Sequence, residues 1–132
     1  MRKLGFVACL SLTAAAAPSA PDTEFAWDCK FSQRQVCSPK GCVSNQTKTW
    51  VYLNPSQNAY WRCEGKYFEN CDRYQALVSE SGAYRNFELP GRATFAKVGP
   101  NLSVTEVVTL MDTVYVNRGK CIVVPPPLVR LR

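Results

Sequence analysis

Short apolar and aromatic runs, divided by turn-forming residues, recur along most of this chain, and they restrict its fold more than any other sequence feature. The dividing residues favour turns or positive φ: Asn54-Pro55-Ser56, Ser81-Gly82, Pro90-Gly91, Gly99-Pro100-Asn101 and Met111-Asp112. A spacing of about ten residues between turns is typical of antiparallel strands. The predicted strands cover residues 25–30, 47–53, 59–63, 75–79, 84–89, 94–98, 103–110, 113–117 and 121–124.

The predicted fold is all-β, an antiparallel up-and-down meander of about eight strands that closes as a small barrel. A sandwich is the alternative, since a flat open sheet would expose its edges and one apolar face. An apolar period of 3.6 residues does not persist beyond two turns, so the only helical turn expected lies near residues 72–76. The chain lacks the crossover segments that a parallel sheet requires.

The beginning of the chain has the pattern of a signal peptide. Arg2 and Lys3 precede an apolar run over residues 4–12 and small residues at 14–17. We expect cleavage near residue 19, one β domain over residues 20–124 and a proline-rich tail over residues 125–132. The apolar run is too short to span a bilayer, and no later run is longer. These features predict a periplasmic or secreted protein.

Six of the seven cysteines follow the leader. An even number of cysteines in a small exported chain is typical of disulfides rather than free thiols. Spacing alone leaves many pairings open. The pairing we predict is Cys29 with Cys121, Cys37 with Cys42, and Cys63 with Cys71.

The chain contains no histidine, which excludes Ser-His-Asp and Cys-His catalysis within it. The cysteine spacings do not match paired C-x-x-C metal ligands, so neither a metal nor another cofactor is expected. Glu64, Glu69, Asp72 and Glu80 are the acids available for a carboxylate pair, but they are better explained as a solvated rim. These absences favour a protein that is not an enzyme.

Aromatic and basic residues are concentrated in the middle third of the chain, a composition found on binding surfaces. Removing the leader lowers the net charge from +6 to +4, too little for the basic stripe of a nucleic-acid-binding protein. The predicted partner is therefore a protein or a small apolar ligand, and the sequence does not indicate the oligomeric state. The candidate partner-binding residues are Tyr67, Phe68, Ser81, Tyr84, Lys66 and Lys97.

Two resemblances add to these predictions. The cysteine pattern, Tyr60-Trp61-Arg62-Cys63 and Ser81-Gly82-Ala83 resemble small exported disulfide-containing proteins of alphaproteobacteria, which implies a compartment and no particular activity. Ser81-Gly82-Ala83-Tyr84, with Lys97, resembles the periplasmic inhibitors of C-type lysozyme, which are eight-stranded barrels with this segment on a protruding loop. The family's Tyr-Trp-Thr-Lys-Gly stretch is missing here.

Two functional hypotheses follow. The first is a non-enzymatic binding or inhibitor protein that acts through loops on a disulfide-stabilised β scaffold. The second is a small β-barrel carrier of an apolar ligand. A core filled completely by Trp50, Trp61 and Phe95 would argue against the carrier.

Overall fold

A computed structural model describes residues 25–65 and 69–125 and shows an all-β protein. The strands are β1 (Ala26–Ser38), β2 (Gly41–Asn54), β3 (Ala59–Cys63), β4 (Cys71–Gln75), β5 (Leu77–Ser81), β6 (Tyr84–Leu89), β7 (Thr94–Val98), β8 (Ser103–Leu110) and β9 (Thr113–Val124). The predicted leader and tail lie outside the described residues. Within the described ranges, no helix is long and apolar enough to cross a membrane.

All nine strands belong to one antiparallel sheet, in the order β4-β3-β2-β1-β9-β8-β7-β6-β5. The first and last strands of this order, β4 and β5, are separated in the chain only by Ala76. One segment therefore supplies both edges of the sheet, and the sheet curls into a nearly closed barrel. The predicted fold class is confirmed.

Three local predictions are wrong. The predicted strand at 75–79 covers the end of β4 and most of β5, which are separate strands on either side of Ala76. Residues 72–76 do not form a helical turn, because β4 pairs with β3 in register from Cys63↔Cys71 to Ala59↔Gln75. The predicted strands at 113–117 and 121–124 are a single strand, β9, which passes through Gly119 without a break. Gly119 is required there because a Cβ would collide with the backbone of Lys30 on β1.

The disulfides have the predicted pairing, and each joins two residues that face each other on neighbouring strands. Cys29–Cys121 ties β1 to β9 across 92 residues of sequence. Cys37–Cys42 closes the tip of the β1–β2 hairpin. Cys63–Cys71 closes the excursion between β3 and β4.

The barrel interior is filled mainly by apolar side chains from every part of the sheet, including Phe31, Leu53, Tyr60, Phe87 and Val104. A second buried cluster, built around Tyr52 and Trp61, occupies the outer face of β2 and β3. Trp61 and Trp50 belong to this outer cluster, and Phe95 is 37% exposed. The three aromatic residues that would have argued against a ligand site therefore do not fill the interior.

Candidate ligand site at the barrel mouth

The interior is organised in layers, which follow from the strand register. Near one end of the barrel, Val43, Val36, Tyr115 and Val108 are direct neighbours across β2, β1, β9 and β8. We call these four residues the rim row. The next inward-facing row on β1, β9 and β8 is polar and consists of Arg34, Asn117 and Glu106. Below it, the inward-facing positions are apolar again.

Glu106 is the centre of the polar layer and is completely buried. The Asn117 side-chain amide donates to Glu106 Oε1 at 2.7 Å. Arg62 Nη2 donates to Glu106 Oε2 at 2.5 Å, and the Tyr60 hydroxyl donates to the same oxygen. The carboxylate therefore has partners from β3 and β9, on both sides of the barrel.

Burial raises the pKa of Glu106 to about 7, although the Asn117 hydrogen bond and the positive charge of Arg34 act in the opposite direction. Burial also lowers the pKa of Arg62. The carboxyl group is thus placed to change charge near neutral pH while it remains in contact with a guanidinium group.

Arg34 enters the barrel because β1 contains an irregularity between Phe31 and Gln33. One extra residue in a strand moves every following side chain to the opposite face. Arg34 therefore points inward, where Nε donates to Asn117 Oδ1 at 2.8 Å and Nη2 donates to Thr49 Oγ1 at 3.3 Å. Without this irregularity, Arg34 would lie on the outer face.

A cavity of about 340 Å³ opens above the polar layer, and we call it the mouth cavity. Three arginines reach it: Arg34, Arg62 and Arg92. The Arg92 guanidinium lies 4.5 Å from the centre of the Tyr74 ring. The remaining lining is mostly apolar or aromatic: Tyr74, Leu89, Val108, Leu110 and Tyr115, with Thr94 and Asn117.

The rim row continues the apolar wall of the mouth cavity toward the hairpin tip. Val36 is directly opposite both Val43 and Tyr115, and Tyr115 lines the cavity. Val43 is 61% exposed and Leu110 is 55% exposed. The mouth thus combines the partly buried Arg34 and Arg62 and the exposed Arg92 with an open apolar approach, an arrangement that suits a ligand with an anionic group and an apolar part.

Of the predicted partner-binding residues, the three that the structure describes, Ser81, Tyr84 and Lys97, lie away from the mouth cavity. Ser81 and Tyr84 are paired across the β5–β6 turn, and Lys97 Nζ lies 5.0 Å from the centre of the Tyr84 ring. This cluster lies at the start of β6, whereas the mouth cavity is reached at Leu89, where β6 ends. Lys66, Tyr67 and Phe68 lie outside the described residues. The inhibitor hypothesis for this loop stays a prediction.

The sequence did give one signal for the mouth. Glu106 alternates with Val104 and Val108 on one face of its strand, and Arg85 alternates with Phe87 and Leu89, so the sequence pattern alone predicts that each charged residue lies at a sheet edge. Both interpretations are wrong, because β8 and β6 are each paired on two sides. Arg85 instead forms an ion pair with Glu80, and Glu106 is buried in the polar layer.

In the part of the chain that the structure describes, no group of three or more histidine, cysteine, aspartate or glutamate residues is placed to hold a metal ion. Comparisons with family models, curated proteins and solved structures found no match. The assignment of function therefore depends on the geometry of the mouth.

Proposed function

We propose that this protein is a non-enzymatic, periplasmic or secreted binding protein that holds a small amphipathic anion in the mouth of its barrel. The observation that carries the proposal is the convergence of Arg34, Arg62 and Arg92 on one cavity whose other walls are largely apolar. Disulfides support the compartment, since they persist in oxidising environments. Of the two hypotheses drawn from the sequence, this proposal corresponds to the small β-barrel carrier. It differs in that the ligand has an anionic group as well as an apolar part.

The charge of the site favours an anion. Three guanidinium groups line the cavity, and the one acid in contact with them is Glu106, so positive charge is in excess even when Glu106 is ionised. Arg34 donates its hydrogen bonds to neutral oxygens of Asn117 and Thr49 and not to a carboxylate. Guanidinium groups bind carboxylates, sulfonates and phosphates through paired hydrogen bonds. The anionic group of the ligand is therefore expected between Arg34 and Arg92.

The shape of the site favours an apolar remainder on the ligand. A cavity of about 340 Å³ is within the range that small-molecule sites occupy. Val108, Leu110 and Tyr115 line it, and the rim row extends the same apolar surface outward. An aliphatic or aromatic group of the ligand would remove this surface from water while its charged group stays at depth.

Two fluorescent probes test the proposal because they share one aromatic scaffold and differ in charge. Anilinonaphthalene sulfonate carries an anionic group, and N-phenyl-naphthylamine lacks it. We expect the mature oxidised protein to bind the sulfonate at least about tenfold more tightly than the neutral probe. Equal affinity for the two probes would contradict an anion site.

The matched variants are Arg34→Gln/Arg92→Gln and Lys40→Gln/Arg73→Gln. Each pair removes two positive charges, but Lys40 and Arg73 are exposed and do not line the mouth cavity. We expect only the first pair to weaken sulfonate binding, by about tenfold or more. Equal losses in both pairs would show that net charge, and not the mouth, attracts the probe.

A further inference from the structure

The outer face of β1, β2 and β9 carries a second unassigned feature, a polar groove that does not depend on the mouth. We propose that this groove binds a linear acidic polysaccharide, because Lys30, Lys48 and Arg118 line it together with amide and hydroxyl groups and no carboxylate lines it. The groove lies on the outer face of the barrel wall, and the polar layer lies on the inner face of the same wall.

Two adjoining depressions make up the groove, with volumes of about 580 and 410 Å³. They share Gln33 and Gln46, which are paired directly across β1 and β2, so the groove is continuous. The larger depression is lined by Lys30, Ser32, Gln33, Gln46, Thr47 and Lys48. The smaller adds Arg34, Gln35, Ser44, Asn45, Val116 and Arg118.

The positive charge along the groove is not compensated. Lys30 and Lys120 are directly opposite each other on β1 and β9, and their ammonium groups lie near the Trp50 ring and the Ser103 hydroxyl respectively, not near an acid. Among the described residues, Lys30, Lys48, Lys120 and Arg118 form no ion pair. The nearest acid along β1, Asp28, lies outside the lining of both depressions. A surface that retains opposed lysines without acids is suited to an anionic partner.

The uncharged groups distinguish a glycan from other polyanions. Side-chain amides and hydroxyls match the hydroxyl groups of sugars, and the lysines match uronate carboxylates. The Trp50 ring, with Lys30 Nζ at 6.0 Å from its centre, offers a flat apolar surface at one end of the groove. Single-stranded nucleic acids use successive aromatic platforms, and the groove has one such ring. A bilayer needs apolar side chains on the contact face, whereas this lining is polar.

The test measures binding of alginate oligosaccharides, a linear polyuronate, to the mature oxidised protein by calorimetry. Neutral dextran oligosaccharides, single-stranded DNA and phosphatidylglycerol vesicles are measured under the same conditions. We expect alginate to bind, dextran not to bind, and alginate affinity to fall as salt is added. DNA or vesicles binding as tightly as alginate would overturn the glycan assignment, and so would a lack of alginate binding.

The variant pair Lys30→Gln/Lys48→Gln keeps the fold testable, because both side chains are exposed, line the larger depression and, among the described residues, form no ion pair, so the melting temperature should not change. We expect it to weaken alginate binding by about tenfold or more. Lys40→Gln/Arg73→Gln removes the same charge elsewhere and is expected to bind as the parent protein does. Equal weakening in the two pairs would refute a defined groove. Sulfonate binding in the mouth should be the same in Lys30→Gln/Lys48→Gln as in the parent, which separates this result from the proposed function.

Discussion

Replacing Glu106 with glutamine should change how the stability of this protein depends on pH. The pKa of Glu106 is raised from its ordinary value of 4.5 to about 7 in the folded protein. Between these values the folded chain binds more protons at this site than the unfolded chain does. The free energy of unfolding therefore decreases as pH rises through this interval, and the contribution of Glu106 is fully present only below about pH 4.5.

The size of the effect follows from the two pKa values. A difference of one pH unit corresponds to about 1.36 kcal/mol, so the interval from 4.5 to about 7 corresponds to about 3 kcal/mol. Glutamine does not titrate, so Glu106→Gln should lack this term. Relative to the variant, the parent protein should lose about 3 kcal/mol of stability between about pH 4.5 and about pH 7.5.

Urea denaturation of both proteins across this pH range provides the assay, with Glu88→Gln as the control. Glu88 lies on β6 and is exposed, so its substitution removes a carboxyl group without touching the polar layer. Parallel stability profiles for the parent and Glu106→Gln would refute the reasoning, because every other titrating group is common to both. A profile change of the same size in Glu88→Gln would also refute it.

Three further predictions concern the scaffold and are measured by thermal or urea denaturation. Cys121→Ser should lower the free energy of unfolding by about 4 to 5 kcal/mol and Cys63→Ser by about 2.5 kcal/mol, because the disulfides they remove close loops of 92 and 8 residues. Equal losses of stability in the two variants would contradict this ranking. Gly119→Ala should destabilise by at least about 2 kcal/mol, since its Cβ would meet the Lys30 carbonyl, and a neutral result would exclude that close approach. Ala76→Pro removes a buried backbone donor at the barrel closure and should cost about 3 kcal/mol, whereas an unchanged midpoint would mean that the closure does not depend on that hydrogen bond.

Much of the fold could be predicted because the sequences of β6, β7 and β8 have the pattern of short antiparallel strands separated by turns. Their bounds, Tyr84–Leu89, Thr94–Val98 and Ser103–Leu110, match the predicted strands. Each is short, partly alternates apolar and polar residues, and is followed by a turn: Pro90-Gly91 after β6, Gly99-Pro100 after β7 and Met111-Asp112 after β8. The segments of β1 and β2 next to the turn that joins them were not predicted as strands, because Gln33, Gln35 and Gln46 interrupt the apolar pattern. These segments are strands because they pair with each other and are closed by a disulfide.

The candidate site was harder to predict, for physical reasons that differ from residue to residue. Glu106 was visible as a charge at an apolar position, but its partner Arg62 lies 44 residues away in sequence, and its partner Asn117 is identified only by the register between β8 and β9. Arg34 was not visible, because a strand irregularity two residues before it decides which face it occupies. Arg92 lies in a turn, where no periodicity indicates the direction of its side chain.

The pairing of β1 with β9 has a consequence for how the chain matures. Every other pairing in the sheet joins strands that are neighbours in sequence, so the first four strands can assemble on their own during synthesis. Cys29 must then wait for Cys121, while Cys37, Cys42, Cys63 and Cys71 already have native partners nearby. Oxidation that begins before β9 emerges should therefore close these two local disulfides and leave Cys29 as a free thiol, and mass spectrometry of partly oxidised chains should find Cys29–Cys121 formed last. Correct maturation then requires that Cys29 stays reduced until the last strand is made.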